Sequence, residues 1–286
     1  MFAPQAIATE KEQILRDIKE REDQFLSKAF DIFQDQYYGS YPYHQPLGKA
    51  DEIVRLQVAD VRAAYQKLYD PQHMIVSVVG PVDVGDIRSD FAKLFKDRSK
   101  DLSQATRSSA ATPLFHPPTV SASTIVQRET VANWMVLGYP APSETEPDEI
   151  PMIVFNGVMG GSMDSRLFTQ VRDKQGLAYQ IGSNYAKRWG PSFWAAYIGT
   201  KGSNFDRAKA AVLKEIDRIQ REPVTDTELA NTKAYIKGSY QMAQERNMNR
   251  AELYAQFEAE GRGMDYVHEF PKKIDTVSAA QVQRVA

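Results

Sequence analysis

The sequence contains no cysteine, no long apolar run and no excess of charge of one sign. The absence of cysteine excludes disulfides, thiolate metal ligands and cysteine nucleophiles. The longest apolar runs, such as residues 74–79 and 134–137, are far shorter than the roughly 20 residues that span a bilayer. The 35 Lys and Arg residues nearly balance the 37 Asp and Glu residues, whereas a nucleic-acid-binding domain is usually strongly basic. We therefore expect no membrane span and no nucleic-acid partner.

Histidine is scarce as well. The four histidines are His44, His73, His116 and His268, and no two have the spacing of a local zinc motif such as H-x-x-E-H. A lone histidine is more typical of a loop or surface than of a metal site. Residues 157–161, GVMGG, lack the spacing and the lysine of a phosphate-binding loop, and no G-x-S-x-G elbow is present. The sequence indicates neither a local zinc site nor a nucleotide site.

The sequence does contain enough apolar residues to form a large core, since 42% of its 286 residues are hydrophobic. At roughly 150 residues per domain, this length predicts about two domains and is also compatible with one large domain. Between residues 96 and 118 the composition shifts to Ser, Ala, Thr, Lys and Pro without a sustained period. We predict a first domain at 1–96, a linker at 97–122 and a second domain at 123–286.

In the first half, apolar spacing predicts one long helix over 8–36 and further helices over 58–69 and 84–95. Gly, Pro and Tyr residues at 37–53 indicate a loop, and the β-branched run at 74–80, MIVSVVG, predicts a strand.

In the second half, strands alternate with helices, and the last 60 residues are helical in pattern. Thr225 and Glu228 have the spacing of a capping box. The predicted strands are 123–130, 132–139, 177–188 and 193–199, and the predicted helices include 150–159, 165–174 and 204–221.

A weak internal repeat links the two halves, because DTVSAAQVQRVA near the end resembles EIVRLQVADVRAAY near residue 52. If this repeat reflects a duplication, a strand equivalent to MIVSVVG would follow residue 286. We therefore expect the chain to be truncated within its second repeat.

Two segments contain candidate functional residues. In the acidic stretch at 9–23, which is typical of a solvated helix face with i,i+4 ion pairs, Asp17 is unusual because it lies beside the apolar positions Ile14 and Ile18. In the segment 160–185, Arg172 and Tyr179 are seven residues apart across a break at Gly176. They form either a pair of polar groups aimed at one point or a surface arginine and a core tyrosine.

Three segments of the sequence match longer patterns. MGGSMDSRLFTQVRDKQGLAY matches L-G-G-x-x-x-S-R-L-x-x-x-L-R-x-x-x-G-L-A-Y. EKEQILRDIKEREDQF is similar to E-R-x-x-V-L-x-E-I-x-x-x-E-D-x-P, and YYGSYPYHQPLGKADEI to F-x-x-H-P-Y-x-x-P-x-G-x-x-E-x-I. With these patterns the sequence resembles the insulinase/pitrilysin family of zinc metallopeptidases, which includes the mitochondrial processing peptidases. The resemblance covers nearly the whole chain.

The resemblance implies an α+β fold of two homologous domains, each a mainly antiparallel sheet with helices on one face, the first domain being incomplete. It implies that Arg172 and Tyr179 contact substrate and the transition state. The family's inverted zinc motif, H-x-x-E-H, is absent from these residues. Asp17 takes the place of the family's third zinc ligand, a glutamate, and Glu10 that of its upstream acidic helper.

The implied function is part of a zinc-dependent metalloendopeptidase that degrades or processes peptides in a closed chamber. The alternative is a non-catalytic peptide-binding or scaffolding subunit paired with a zinc-bearing partner. The expected partners are a peptide substrate and a homologous peptidase domain or subunit. Zinc is implied for the complete enzyme, whereas this chain alone is expected to hold none and to be inactive. We expect a soluble chain without a signal peptide, in a compartment that the sequence does not identify.

Overall fold

The computed structural model describes residues 2–69, 74–95 and 114–286, so His73 and the linker residues 97–113 lie outside the described part. None of the helices in that part is both long enough and apolar enough to cross a membrane. The elements in chain order are α1 (Pro4–Asp23), α2 (Phe25–Tyr38), α3 (Ala50–Arg55), α4 (Val58–Leu68), α5 (Val84–Leu94), β1 (Asn133–Ala141), α6 (Glu149–Met159), a π-helix (Leu167–Asp173), β2 (Gln180–Ala186), β3 (Ser192–Thr200), a 3₁₀ turn (Gly202–Asn204), α7 (Phe205–Arg221), α8 (Asp226–Ala243), α9 (Asn247–Ala259), α10 (Tyr266–Thr276) and α11 (Ala279–Val285).

The chain divides into two compact units. Unit 1 comprises Met1–Glu20, Pro46–Leu114 and Ala243–Met264, and unit 2 comprises Arg21–Gln45, Phe115–Met242 and Asp265–Ala286. Helix α2 therefore belongs with the second half of the sequence, a feature that the predicted bounds of 1–96, 97–122 and 123–286 did not contain. Those bounds, and the homology of two domains, stay predictions.

Unit 1 consists of helices that bury few side chains. Helices α1, α3, α4 and α5 contain no buried residue, whereas Phe257 of α9 is 4% exposed. The Lys11 ammonium of α1 donates to the carbonyl oxygens of Val54 and Leu56 at 2.7 and 3.0 Å. Among the described residues of unit 1, no cluster of buried apolar side chains accompanies these contacts.

The predicted strand at 74–80 is wrong. These residues form no ladder, and Met74, Val76 and Val78 are each nearly half exposed. A β-branched run favours an extended backbone, but a strand also requires a neighbouring strand to satisfy its N–H and C=O groups. None of the described residues of unit 1 supplies one.

Unit 2 contains a three-stranded antiparallel sheet in the order β1-β3-β2, which confirms the predicted antiparallel pairing. Asn133 pairs with Thr200 at one end of the β1–β3 ladder, and Ala141 pairs with Ser192 at the other. Strand β3 is central and is buried along nearly its whole length. The predicted strand at 123–130 is also wrong, because the structure gives these residues no ladder partner and leaves Ile125 84% exposed.

Both faces of this sheet are covered, so the expectation of helices on one face is wrong for unit 2. Trp194, Ala196 and Ile198 of β3 belong to the main core, together with residues of α6, α7, α10 and α11. Phe193 and Ala195 alternate with them and pack against tyrosines of α2 and the following turn. The period of two along a strand distributes these side chains to opposite faces.

Two further expectations concern helix ends. The helix predicted over 8–36 is two helices, because the extended backbone of Gln24 separates α1 from α2. The capping box before α8 is confirmed, since the Thr225 hydroxyl accepts from the Glu228 N–H at 3.2 Å and the Glu228 carboxylate accepts from the Thr225 N–H at 2.9 Å.

Candidate functional site

The segment that links α6 to β2 contains the candidate site, and its first glycines have a structural role. A Cβ atom on Gly160 would lie 2.3 Å from the backbone nitrogen of Ser183 in β2. The Ser183 N–H instead donates to the Gly160 carbonyl at 3.2 Å. Glycine at 160 thus allows the end of α6 to approach the edge strand closely.

Buried apolar residues hold the rest of the segment against the core of unit 2. Leu167 and Val171 of the π-helix and Leu177 after it are 0 to 3% exposed. The Leu177 N–H donates to the Val171 carbonyl at 3.2 Å, and the Thr200 hydroxyl donates to the Leu177 carbonyl at 2.6 Å. The backbone between the π-helix and β2 is therefore fixed at both ends of its turn.

Gly176 makes that turn. Its φ of +62° lies in the left-handed region that favours glycine, and its N–H donates to the Arg172 carbonyl at 2.9 Å. The preceding helix closes with a bond from the Lys174 N–H to the Thr169 carbonyl at 3.1 Å, the five-residue spacing of a π-helix. Short π-helical segments occur frequently at functional sites.

Arg172 and Tyr179 lie on either side of this turn, and both are exposed. Tyr179 is 60% exposed, which excludes the reading of a core tyrosine, and its N–H donates to the Gly199 carbonyl at 2.8 Å. In the part of the chain that the structure describes, neither the Arg172 guanidinium nor the Tyr179 hydroxyl has a protein hydrogen-bond partner. The guanidinium carbon of Arg172 lies 4.5 Å from the centroid of the Phe168 ring. The backbone is thus ordered, while the guanidinium and the hydroxyl remain able to form hydrogen bonds with a ligand.

Arg166, in the same segment, is buried and paired. Its Nε and Nη2 atoms donate to the two carboxylate oxygens of Glu228 at 2.9 and 3.1 Å, and its side chain is 4% exposed. Burial would raise the pKa of Glu228, but the hydrogen bonds from Arg166 and Thr225 outweigh it and lower that pKa to about 2. Sequence reasoning missed this pair, because Glu228 follows Arg166 by 62 residues.

The other predicted site residues lie in α1. Glu10 is exposed, and Asp17 is half-buried and accepts a hydrogen bond of 2.6 Å from the Gln13 amide. Among the described residues, no group of three or more His, Asp or Glu side chains is arranged to hold a metal ion. The described residues therefore do not fit a zinc site, and the role of Asp17 as a ligand stays a prediction.

Comparison with known proteins identifies the family. Residues 55–236 match the family described as the Peptidase M16 inactive domain, so the chain belongs to that family. It is 29% identical over 246 residues to an uncharacterized zinc protease of Streptomyces coelicolor, covering 82% of this chain and 51% of that protein. It is 26% identical over 245 residues to the uncharacterized zinc protease YmxG of Bacillus subtilis, covering 85% and 58%. The predicted metallopeptidase kinship is confirmed.

Two solved structures have the same fold. A protease from Helicobacter pylori superposes with a TM-score of 0.84 at 19% identity, covering 99% of this chain and 68% of that one. A peptidase M16 inactive domain from Pseudomonas fluorescens superposes with a TM-score of 0.79 at 18% identity, covering 99% and 66%. The chain spans about half to three-fifths of the length of the curated relatives named above.

Proposed function

We propose that this chain supplies peptide-contacting residues of a zinc-dependent metalloendopeptidase, with Arg172 and Tyr179 as the contacts. In this proposal, peptides are degraded or processed in a closed chamber that the chain forms with a homologous peptidase domain or subunit. A zinc ion held outside the described residues of this chain would supply Lewis-acid chemistry for peptide hydrolysis. The described residues of this chain contribute hydrogen-bond donors and not the metal site.

The proposal rests on one observation. The backbone on both sides of the turn is fixed, while the Arg172 guanidinium and the Tyr179 hydroxyl have no protein hydrogen-bond partner among the described residues. The Arg172 guanidinium has five N–H donors and the Tyr179 phenol has one O–H donor. Donors of this kind stabilise a peptide carbonyl weakly and a developing oxyanion strongly, provided that they are held in place beforehand. The Gly176 turn and the bond from the Tyr179 N–H to the Gly199 carbonyl fix the backbone from which these donors project.

The test is the binding of a fluorescein-labelled, unstructured 15-residue peptide with blocked termini to the full chain, followed by fluorescence anisotropy. We expect Arg172→Ala and Tyr179→Phe each to weaken binding severalfold. The matched controls are Arg207→Ala and Tyr235→Phe, which change exposed residues of the same types on α7 and α8. Equal affinities for all five proteins would overturn the assignment of the two residues.

The alternative function is that of a non-catalytic peptide-binding or scaffolding subunit paired with a zinc-bearing partner. Asp17 favours it, because its carboxylate is one methylene shorter than that of the family's glutamate ligand. An intact H-x-x-E-H motif in the complete protein, together with hydrolysis that a chelator abolishes, would favour the enzyme. A degenerate motif with retained peptide binding would favour the subunit.

A further inference from the structure

Phe168 lies beneath Arg172 on the π-helix. The ring is half-buried and packs against the main core of unit 2, whereas the guanidinium above it is exposed. The two residues are four positions apart, the spacing at which side chains become neighbours on a helix. A cation at 4.5 Å from the ring centroid is within the range of a cation–π interaction.

We propose that Phe168 is a positioning residue for Arg172, holding the guanidinium in the orientation in which it meets a peptide. This inference rests on the proposed function of Arg172. An exposed arginine has many rotamers, and binding a ligand with a free side chain costs the entropy of ordering it. A ring that is itself fixed by the core restricts those rotamers before the peptide arrives.

The chemistry of the ring explains why a phenylalanine suits this role better than a carboxylate. A carboxylate would orient the guanidinium by accepting its N–H bonds, and it would neutralise the charge as well. The aromatic face attracts the cation and leaves its positive charge in place. Among the described residues no protein acceptor binds the Arg172 N–H groups, so they stay available to peptide carbonyl oxygens or to a developing oxyanion.

The first measurement is structural and uses the full chain. In proton NMR, the δ and ε protons of Arg172, assigned by comparison with Arg172→Lys, should show an upfield ring-current shift. Phe168→Leu should abolish this shift, and Phe168→Tyr, which keeps the ring, should retain it. An Arg172 spectrum unchanged in Phe168→Leu would overturn the inference. Thermal melting of both variants tests whether either substitution disturbs the fold.

The second measurement is the affinity for the same fluorescein-labelled peptide. Phe168→Leu should weaken binding about two- to fivefold, the effect of an exposed cation–π contact, while Phe168→Tyr binds like the wild type. On the Arg172→Ala background, Phe168→Leu should cause no further loss. A weakened Arg172→Ala with an unchanged Phe168→Leu would overturn only the role of Phe168. An unchanged Arg172→Ala would overturn the proposed function, and with it the role of Phe168.

Discussion

Replacing Glu228 with Gln should destabilise the chain measurably at neutral pH. The substitution leaves the buried guanidinium of Arg166 without a counter-charge, and removing one partner of a buried ion pair costs about 3–5 kcal/mol. The lowered pKa of Glu228, about 2 against an ordinary 4.5, corresponds to about 3 kcal/mol. Because the Glu228 side chain is 33% exposed, solvent screens the pair, and we expect a loss of about 2 kcal/mol.

The assay is thermal unfolding followed by circular dichroism at several pH values. For a unit of this size, a loss of about 2 kcal/mol corresponds to a fall in Tm of about 4–8 °C. The pKa of Glu228 is depressed by folding, so its stabilising effect is fully present above about pH 4.5 and disappears as the pH falls towards 2. The Tm difference between wild type and Glu228→Gln should therefore shrink below pH 4.

Glu222 provides the matched control, because it pairs with Arg218 at the surface of the same unit. Surface ion pairs contribute little to stability, so Glu222→Gln should have the same Tm as the wild type at neutral pH. Replacing both members of the buried pair, as in Arg166→Met with Glu228→Leu, should recover part of the lost stability. A Glu228→Gln protein whose Tm at pH 7 equals that of the wild type would refute this reasoning.

Four further predictions concern catalysis, close packing and metal binding. Under the proposed function, Tyr179→Phe should lower the kcat of peptide hydrolysis about 10²-fold with little change in KM or Tm, as steady-state kinetics and melting can test. A lowered Tm with unchanged kcat would contradict the role of the hydroxyl. Arg172→Lys should also lose activity, because a point charge does not replace a planar fork. Gly160→Ala should destabilise the chain by about 1–3 kcal/mol, whereas the control Gly238→Ala, whose Cβ meets no atom within 4 Å, should not. Equal melting temperatures for these two variants would contradict the close approach at Gly160. The purified chain should bind no stoichiometric zinc, because a catalytic site needs about three protein ligands; one tightly held zinc per chain in metal analysis would disprove this.

The parts of the fold that the sequence predicted are those that depend on local signals. The helix predicted over 58–69 is observed as α4, and the helix predicted over 204–221 is observed as α7. In each case the apolar spacing persists over three turns or more, so the pattern is unambiguous. The capping box of Thr225 and Glu228 is also a local signal, because its two residues are only three positions apart.

The parts that the sequence did not predict depend on contacts between distant residues. Helix α2 packs on the sheet, and a Cβ atom on Gly138 of β1 would lie 2.0 Å from the ring of Phe33. A glycine inside a strand is a known signal of close approach, but it does not say what approaches. The sequence from 8 to 36 has a continuous helical period, so the break at Gln24 had no local sign.

The sequence drew attention to some residues of the candidate site and not to others. Arg172 and Tyr179 stood out through their spacing and the resemblance, whereas Phe168 was treated only as an unspecified position of the family pattern. Its distance of four residues from Arg172 was the available signal. Arg166 and Glu228 could not be paired from the sequence, because 62 residues separate them and no local pattern links the two positions.

Burial separates two kinds of residue within the pattern MGGSMDSRLFTQVRDKQGLAY. Leu167, Val171 and Leu177 are enclosed and Arg166 is paired, so changes at these positions should alter stability first. Tyr179 is exposed and has no protein partner for its hydroxyl within the described residues, so removing that hydroxyl leaves no buried group unpaired. A resemblance in sequence treats all of these positions alike. Their environments predict that substitutions in the enclosed set lower Tm and that removal of the Tyr179 hydroxyl leaves Tm unchanged. The expected effect of Tyr179 on peptide binding follows from the proposed function.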